Sequence, residues 1–403
     1  MKIAVYMNNF IYKYGGTEGY TANLIEVLQN LYPDSQISII TELHKKRDRV
    51  DIDDFLADQN KTYGLNISNK NVSLHYIKIP EINVDKHKTK FIHHLKFLLR
   101  QERFFKIQKK INLITKEYDL FINCSRYSFY GCARKNVVIV HFPKDKLSKI
   151  PINSKLPFLK TKAVRQDQNF AKKIDLFIPN SEFTSYWLTK MWNIPESKKT
   201  VLYPPVTPVA AISTKKENQI FICSRIEKTK KIDILINAFN QSEILKNKCK
   251  LIIAGSIKGE CPEYIKSLKK ICNSVEFVFE PTREEIEKIY SESSIFWHAK
   301  GINETDPLFF EHFGITTVEA LSASCIPVVI NKGGQKEIVD ESCGFRWNTT
   351  EELIKHTEEI VENPQLRDNL RKNCKKRSSI FTKDKFAENF HAIFNDVLQE
   401  TPV

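Results

Sequence analysis

Short apolar runs alternate with helix-length amphipathic segments along nearly the whole chain. In the first half the candidate strands are Lys2–Met7, Gln36–Thr41, Val72–Ile79, Asp119–Asn123, Asn136–His141 and Asp175–Pro179. In the second half they are Gln219–Ser224, Lys250–Gly255, Val275–Phe279, Ser294–His298, Ile326–Ile330 and Gly344–Trp347. Several are continuous apolar runs, the pattern of parallel strands covered on both faces. The alternation of β and α in both halves predicts two doubly wound α/β domains. Between them lies YPPVTPVAAISTKKEN, residues 203–218. Its prolines cannot feed a helix interior, and it turns polar before the next strand. The predicted domains are 1–205 and 206–382. A final helical pattern in 383–403 (Phe386, Phe390, Ile393, Phe394, Val397) is able to pack on either.

A length of 403 residues suits two domains of ordinary size, each with its own core. Hydrophobic residues make up 41% and charged residues 27%, which excludes the disordered and fibrous classes. No apolar run approaches the roughly 18 residues needed to cross a bilayer. The start, MKIAVYMNNF, is too short for a signal-peptide core and reads as a first buried strand. The nine cysteines are odd in number and form no C-x-x-C pair. Cys124, Cys223, Cys272 and Cys325 sit in strand-like or helical runs, where the thiol acts as a small buried hydrophobe. A reduced, cytoplasmic compartment is expected, with neither zinc nor a disulfide framework.

The formal charge of +14 changes the picture, because it is unevenly spread. Residues 86–116 hold ten Lys/Arg: Lys86, Lys88, Lys90, Lys96, Arg100, Arg103, Lys106, Lys109, Lys110 and Lys116. Phe91, Leu95, Leu98 and Leu99 recur at helical spacing, and Phe104 and Phe105 follow. This basic amphipathic pattern suits an anionic membrane surface. It equally suits a helix packed on a sheet with its lysines in water. No motif of a nucleic-acid-binding module accompanies the charge, so nucleic acid is not an expected partner.

The stretch EHFGITTVEALSASCIPVVINKGGQKEIVDESCGFR, residues 311–346, carries the most chemistry. Glu311 and Glu319 stand eight residues apart around Phe313-Gly314, followed by the apolar strand 326–330 and a Gly333-Gly334 turn. Gly314 and Ile315 lead into a predicted Thr316–Ser324 helix, whose first N–H groups and positive dipole end favour an anion. The flanking carboxylates could accept hydroxyl protons from a ligand attached to that anion. Phosphate at a helix tip with hydroxyls at carboxylates describes a nucleotide-sugar, which makes this a candidate site for sugar transfer.

Other segments bear on the same ligand. After the strand FICS come Arg225 and Lys230, five residues apart, able to reach one diphosphate as fork and point charge, or else to form a solvated basic loop. The first strand runs into Tyr14-Gly15-Gly16-Thr17-Glu18-Gly19, a glycine-rich turn that would let backbone approach a phosphate, without the spacing of a dinucleotide fingerprint. His141 ends a buried run, in the position where parallel sheets gather ligands. Ser181 or Asn180 reads as a helix N-cap. His298 and the loop 300–310 lie just upstream of Glu311, where the loop could close over a sugar. No nucleophile elbow, P-loop, metal cluster or kinase signature appears, and the phosphate features would be superfluous in a glycoside hydrolase.

With these residues in order, the stretch Glu311 to Val339 resembles the signature of glycosyltransferase family 4, the retaining GT-B enzymes among the glycosyl transferases of group 1. Glu311, Gly314, Glu319 and Pro327–Val329 carry the pattern. Arg225 and Lys230 resemble the family's diphosphate-holding pair, Gly15-Gly16-Thr17-Glu18 its N-terminal glycine loop, and His141 its histidine beside the transferred sugar. The chain departs from the family at Ser324-Cys325, where Ala-Gly or Cys-Gly is usual, and at Lys231, where Gly usually follows the Lys.

The resemblance implies two Rossmann-like domains facing a cleft, the first for the acceptor and the second for the donor, with the 383–403 helix packing back on the first. Glu319 would bind ribose, and Glu311 a hydroxyl of the donor sugar. Gly15, Gly16, Phe313, Gly314 and Ile315 would complete donor binding, and Arg225 and Lys230 would stabilise the departing diphosphate. His141 would act beside the sugar. Transfer would be retaining, need no metal or other cofactor, and use a GDP- or UDP-sugar. A hexose, with a lean to mannose, would pass to a glycan or lipid-linked acceptor in surface polysaccharide synthesis, on the cytoplasmic side and peripheral to the membrane. A non-catalytic nucleotide-sugar binder and a nucleotide-sugar epimerase are the alternatives.

Overall fold

The computed structural model describes residues 1–12, 15–79, 90–126, 128–143, 170–210, 215–257, 262–271 and 274–399. Tyr14, Lys86, Lys88, Cys272 and parts of the 203–218 and 383–403 segments lie outside them, as do the side chains of Phe91, Leu95 and Leu98.

The chain divides into two compact units: Met1–Asn180 with Thr184–Leu202 and Ala387–Val403, and Ser181–Phe183 with Tyr203–Phe386. The first holds β1 (Lys2–Tyr6), β2 (Gln36–Leu43), β3 (Val72–Lys78), β4 (Leu120–Asn123), β5 (Lys135–Val140) and β6 (Leu176–Pro179). They pair in the order β3-β2-β1-β4-β5-β6. Every pairing is parallel, with Ile3 opposite Ile37 on one side and Leu120 on the other. The second holds β7 (Glu217–Cys223), β8 (Lys250–Gly255), β9 (Val275–Phe279), β10 (Ser293–His298), β11 (Ile326–Ile330) and β12 (Phe345–Trp347). Their order is β12-β11-β10-β7-β8-β9, again all parallel. Each strand lies within two residues of the apolar run that predicted it. The reason is burial on both faces: β4, β5, β10 and β11 are buried at every position.

Cys124, Cys223 and Cys325 are buried and unpaired. Burial pushes each thiol up to about 12.

In the first unit the helix Lys90–Ile114 serves as a packed element along its second half. Ile107 and Ile111 are buried with Tyr6, Phe121 and Phe129, and Phe104 stacks on Phe129 at 4.5 Å. Arg103 donates to the buried Glu42 carboxylate at 3.0 Å, which also accepts from the Tyr6 hydroxyl at 2.9 Å. Phe105 and Leu113 point to water beside Lys106 and Lys109. Among the described residues no helix is long and apolar enough to cross a membrane.

The helix expected over Thr316–Ser324 runs instead over Ile315–Ser322. A Schellman turn ends it: Ser324 N–H bonds the Leu321 carbonyl at 2.9 Å and Cys325 N–H the Ala320 carbonyl at 2.8 Å. That turn needs a left-handed residue, and Ser324 supplies it at φ 55°. Lys231 is likewise left-handed, at φ 57°, between the turn Lys228–Lys230 and the helix Ile232–Gln241. Both departures from the family pattern therefore involve residues in the conformation that favours glycine.

Left-handed backbone costs a residue with a side chain roughly 1–2 kcal/mol. Glycine gives back about 0.4–1 kcal/mol through its freer unfolded chain. Ser324→Gly is thus expected to stabilise the second unit by up to about 1 kcal/mol in urea unfolding. A loss of stability would show that the serine side chain contributes more than its backbone strain costs.

Candidate functional site

In the second unit the winding of the sheet reverses between β7 and β10, which are neighbours in the sheet but far apart in sequence. The carboxyl ends of strands flanking such a reversal frame a crevice, because the loops leave in opposite directions. The Arg225–Lys231 loop follows β7, and the Lys300–Glu311 loop follows β10. Gly255, at the end of β8, is required here: a Cβ would lie 1.7 Å from the Ser224 carbonyl oxygen. Its absence lets the β8 end run beside the base of the Arg225 loop, where Ile226 N–H reaches the Ser256 carbonyl at 2.9 Å.

Three groups converge on one oxygen of Glu311. Lys230 Nζ lies 2.8 Å from Oε2, His298 Nε2 3.4 Å and Lys300 Nζ 3.6 Å. Burial works to raise the carboxyl pKa, but the two lysines and the histidine bond overcome it and hold Glu311 well below the usual carboxylate range. Burial lowers His298, against the pull of Glu311 and with the push of both lysines. Burial also lowers Lys300. His298 is 5% exposed, and its Nδ1 has no hydrogen-bond partner among the described residues, whereas Nε2 faces Glu311. Two ammonium groups against one carboxylate leave local positive charge, the condition for binding an anion. The sequence reading put Lys230 and Glu311 in the site; Lys300 was missed. Its only signal was a lysine two residues beyond a strand that ends at this crevice.

The backbone around Glu311 is held by glycines. Gly334 N–H donates to the Glu311 carbonyl at 2.8 Å, and a Cβ on Gly333 would stand 2.2 Å from that same oxygen. Gly314 begins the Ile315–Ser322 helix at φ 130°, and a Cβ there would meet the Gln335 side-chain nitrogen at 2.5 Å. Ile315 and Thr316 thus present the first N–H groups of the helix beside a residue that must be glycine. Phe313 is 3% exposed and packs between Tyr203 and Phe381, with centroids at 5.8 and 5.5 Å. Its ring belongs to the core, so only its backbone is available to a ligand.

Arg225 and Glu319 do not join the cluster. Arg225 is exposed, its guanidinium 3.1 Å from the Glu227 carboxylate. Glu319 lies on the Ile315–Ser322 helix, and its Oε1 is paired with Arg283 at 2.5 Å. Nothing in the sequence pattern marked Arg283, which opens the helix Arg283–Glu292.

The 300–310 loop is tied down within the unit. Lys231 pairs with Glu304 at 2.7 Å, and Lys332 donates to the carbonyls of Gly301 and Glu304 at 3.1 and 2.8 Å. Lys231 thus spends its side chain on the loop while its backbone occupies the left-handed turn. Ser181, expected as an N-cap, donates its hydroxyl to the His312 carbonyl at 2.7 Å. The Glu337 carboxylate accepts from the N–H groups of Glu182 and Phe183, both at 2.7 Å.

The remaining expected residues belong to the first unit. Gly15 is extended at φ 175° and precedes the Gly16–Leu31 helix, so Gly16 to Gly19, expected in a glycine-rich turn, form the first turn of a helix instead. Gly19 is the glycine that the packing there requires, since a Cβ would come within 2.9 Å of the Tyr63 ring. Arg126, beyond β4, reaches the Thr17 hydroxyl at 3.5 Å. His141 follows β5 directly, and its ring meets Tyr20 edge-on at 5.4 Å. Among the described residues no group of three or more His, Cys, Asp or Glu is placed to hold a metal ion.

Because the fold binds the His298 proton less well than the unfolded chain does, His298 contributes stability that is complete above about pH 6.5. That contribution is lost as the pH falls from there towards the lower folded value. His298→Gln should therefore lose less stability than the wild type between about pH 8 and about pH 5 in urea unfolding. Parallel curves would show that the folded and unfolded chains bind the His298 proton equally well in that range.

Known proteins show the same architecture. Residues 209–377 match the family model for glycosyl transferases group 1. A GDP-Man:Man(3)GlcNAc(2)-PP-Dol alpha-1,2-mannosyltransferase of Xenopus laevis is 26% identical over 241 residues, 54% of this chain and 48% of that one. The alpha-monoglucosyldiacylglycerol synthase of Acholeplasma laidlawii is 28% identical over 185 residues, 44% of each. The matched region thus spans about half the length of these curated relatives or less. The crystal structure of Anabaena HepE in complex with UDP-glucose superposes with a TM-score of 0.66 at 17% identity, covering 98% of this chain and all of that one. Such a likeness establishes the fold, two Rossmann-like α/β units of GT-B type. The likeness to the glycosyl transferases of group 1 is carried by residues 209–377.

Proposed function

We propose that the protein is a retaining glycosyltransferase that moves a hexose, with mannose favoured, from a nucleoside-diphosphate sugar to a glycan or lipid-linked acceptor. The observation that carries the reading is the convergence of Lys230, Lys300 and His298 on Glu311 where the second sheet reverses. The dolichol-linked mannosyltransferase relatives support the choice of sugar and of a lipid-linked acceptor.

In this reading residues 206–382 hold the donor and 1–205 the acceptor. The diphosphate lies against the Ile315 and Thr316 N–H groups, with Arg225 forking onto its oxygens. Lys230 and Lys300 turn from Glu311 to the diphosphate as it departs. Charge accumulates on the leaving group in a dissociative transfer, so these cations act mostly in the transition state. Glu311, freed from part of its ion pairing, accepts a hydroxyl of the donor sugar and fixes its orientation. His141 acts beside the sugar, and Glu319 takes the ribose. No metal has a required role.

The exposed Phe105 and Leu113 beside Lys106 and Lys109 make the outer face of the Lys90–Ile114 helix suited to an anionic lipid surface. Synthesis of surface polysaccharide or glycoconjugate at the cytoplasmic face of a membrane fits both features.

Transfer assays with GDP- and UDP-sugars test the reaction. Arg225→Ala and Lys300→Met are each expected to lower turnover by roughly 10² or more, the scale for losing one preorganised stabiliser. Normal turnover in both would remove the cations from the mechanism. The correct nucleotide-sugar at 100 times its dissociation constant should stabilise the protein by about 2.7 kcal/mol, which identifies the donor from a panel.

Vesicle binding is expected to require anionic lipid and to weaken in high salt. Leu113→Ser should reduce it further, and binding indifferent to salt and to lipid charge would sink the membrane reading.

A further inference from the structure

The Glu319 carboxylate is held by more than its own helix. Arg283 Nη1 lies 2.5 Å from Oε1, while its Nε donates at 2.8 Å to Glu287, one turn further along the same helix. The guanidinium is thus stretched between two carboxylates, with its fork geometry in use on both sides. The backbone from which it springs is itself fastened. Thr282 accepts from Glu285 N–H, and the Glu285 side chain returns to Thr282 N–H, closing a capping box at the start of the Arg283–Glu292 helix. On the other side, the Tyr290 hydroxyl lies 3.0 Å from the Thr316 carbonyl and 3.4 Å from Glu319 Oε2. A phenol has one proton to give, and the shorter contact takes it. Oε2 therefore keeps its accepting capacity, while Oε1 is pinned.

A carboxylate so held is limited to one rotamer, with only one of its oxygens taken by Arg283. Such a group can accept from a vicinal diol without the loss of rotamer freedom that a free glutamate would suffer. Resting on the reading that Glu319 takes the ribose of the donor, we infer that Arg283 is a positioning residue for ribose recognition. It orients the Glu319 carboxylate and thereby gives the site its preference for ribonucleotides over deoxyribonucleotides. Arg283 touches no reacting atom in this scheme; it acts through Glu319.

Calorimetric titration of UDP and GDP against their 2′-deoxy and 3′-deoxy forms tests this in the wild type, Glu319→Gln, Arg283→Gln and Arg283→Lys. The wild type should favour the better ribonucleotide over its deoxy forms by about tenfold or more, the scale of a hydrogen bond to a charged acceptor. Glu319→Gln and Arg283→Gln should both reduce that ratio to about threefold or less, with Arg283→Lys in between. A merely structural role would weaken ribo and deoxy forms alike and leave the ratio unchanged. If Glu319→Gln loses the preference while Arg283→Gln, melting as the wild type does, keeps it, the positioning role is wrong and the ribose assignment stands. If the wild type binds neither nucleotide, or binds ribo and deoxy forms equally, the assignment of Glu319 itself fails and takes the inference with it.

Discussion

Glu311 joins three strand ends through two different parts of one residue. Its side chain takes Lys230 from the loop after β7, and His298 and Lys300 from the end of β10. Its carbonyl takes Gly334 N–H from the turn after β11. A partly buried carboxylate is costly unless compensated, and the cations likewise need it. The arrangement is therefore mutually enforcing: remove the acid, and two lysines face each other beside a buried histidine.

Glycine does the complementary work, by absence. Gly255, Gly314, Gly333 and Gly334 each sit where a Cβ would collide with backbone or with a buried amide. They let three loops approach closely enough for the charges to meet. At two other positions the chain tolerates a side chain in left-handed backbone, and at Lys231 that side chain has been put to use against Glu304. A rule broken locally is offset by an ion pair that ties down the neighbouring loop.

The carboxylates that the sequence marked as a pair have separate surroundings. Glu311 meets lysines and a histidine, whereas Glu319 meets Arg283 and the neighbourhood of Tyr290. Separate environments on one short helix and its lead-in fit separate ends of an elongated ligand better than joint acid–base work on a single bond. Phe313, between them in sequence, packs into the core between Tyr203 and Phe381.

The sequence by itself determined the twelve strands, because burial on both faces leaves apolar runs that need no knowledge of partners. It also determined the two-unit α/β class, and it marked Lys230 and Glu311, which the fold pairs at 2.8 Å, because charges at strand ends are local signals. It misplaced the end of the 315–322 helix, where a left-handed serine closes a turn normally closed by glycine. It passed over Lys300 and Arg283, whose importance lies in partners 11 and 36 residues away. Strand order brings β7 beside β10, and only that order decides which cation meets which carboxylate. Spacing along a chain records periodicity and turns; charge compensation is a property of three-dimensional neighbours, and it appears only once the sheet has formed.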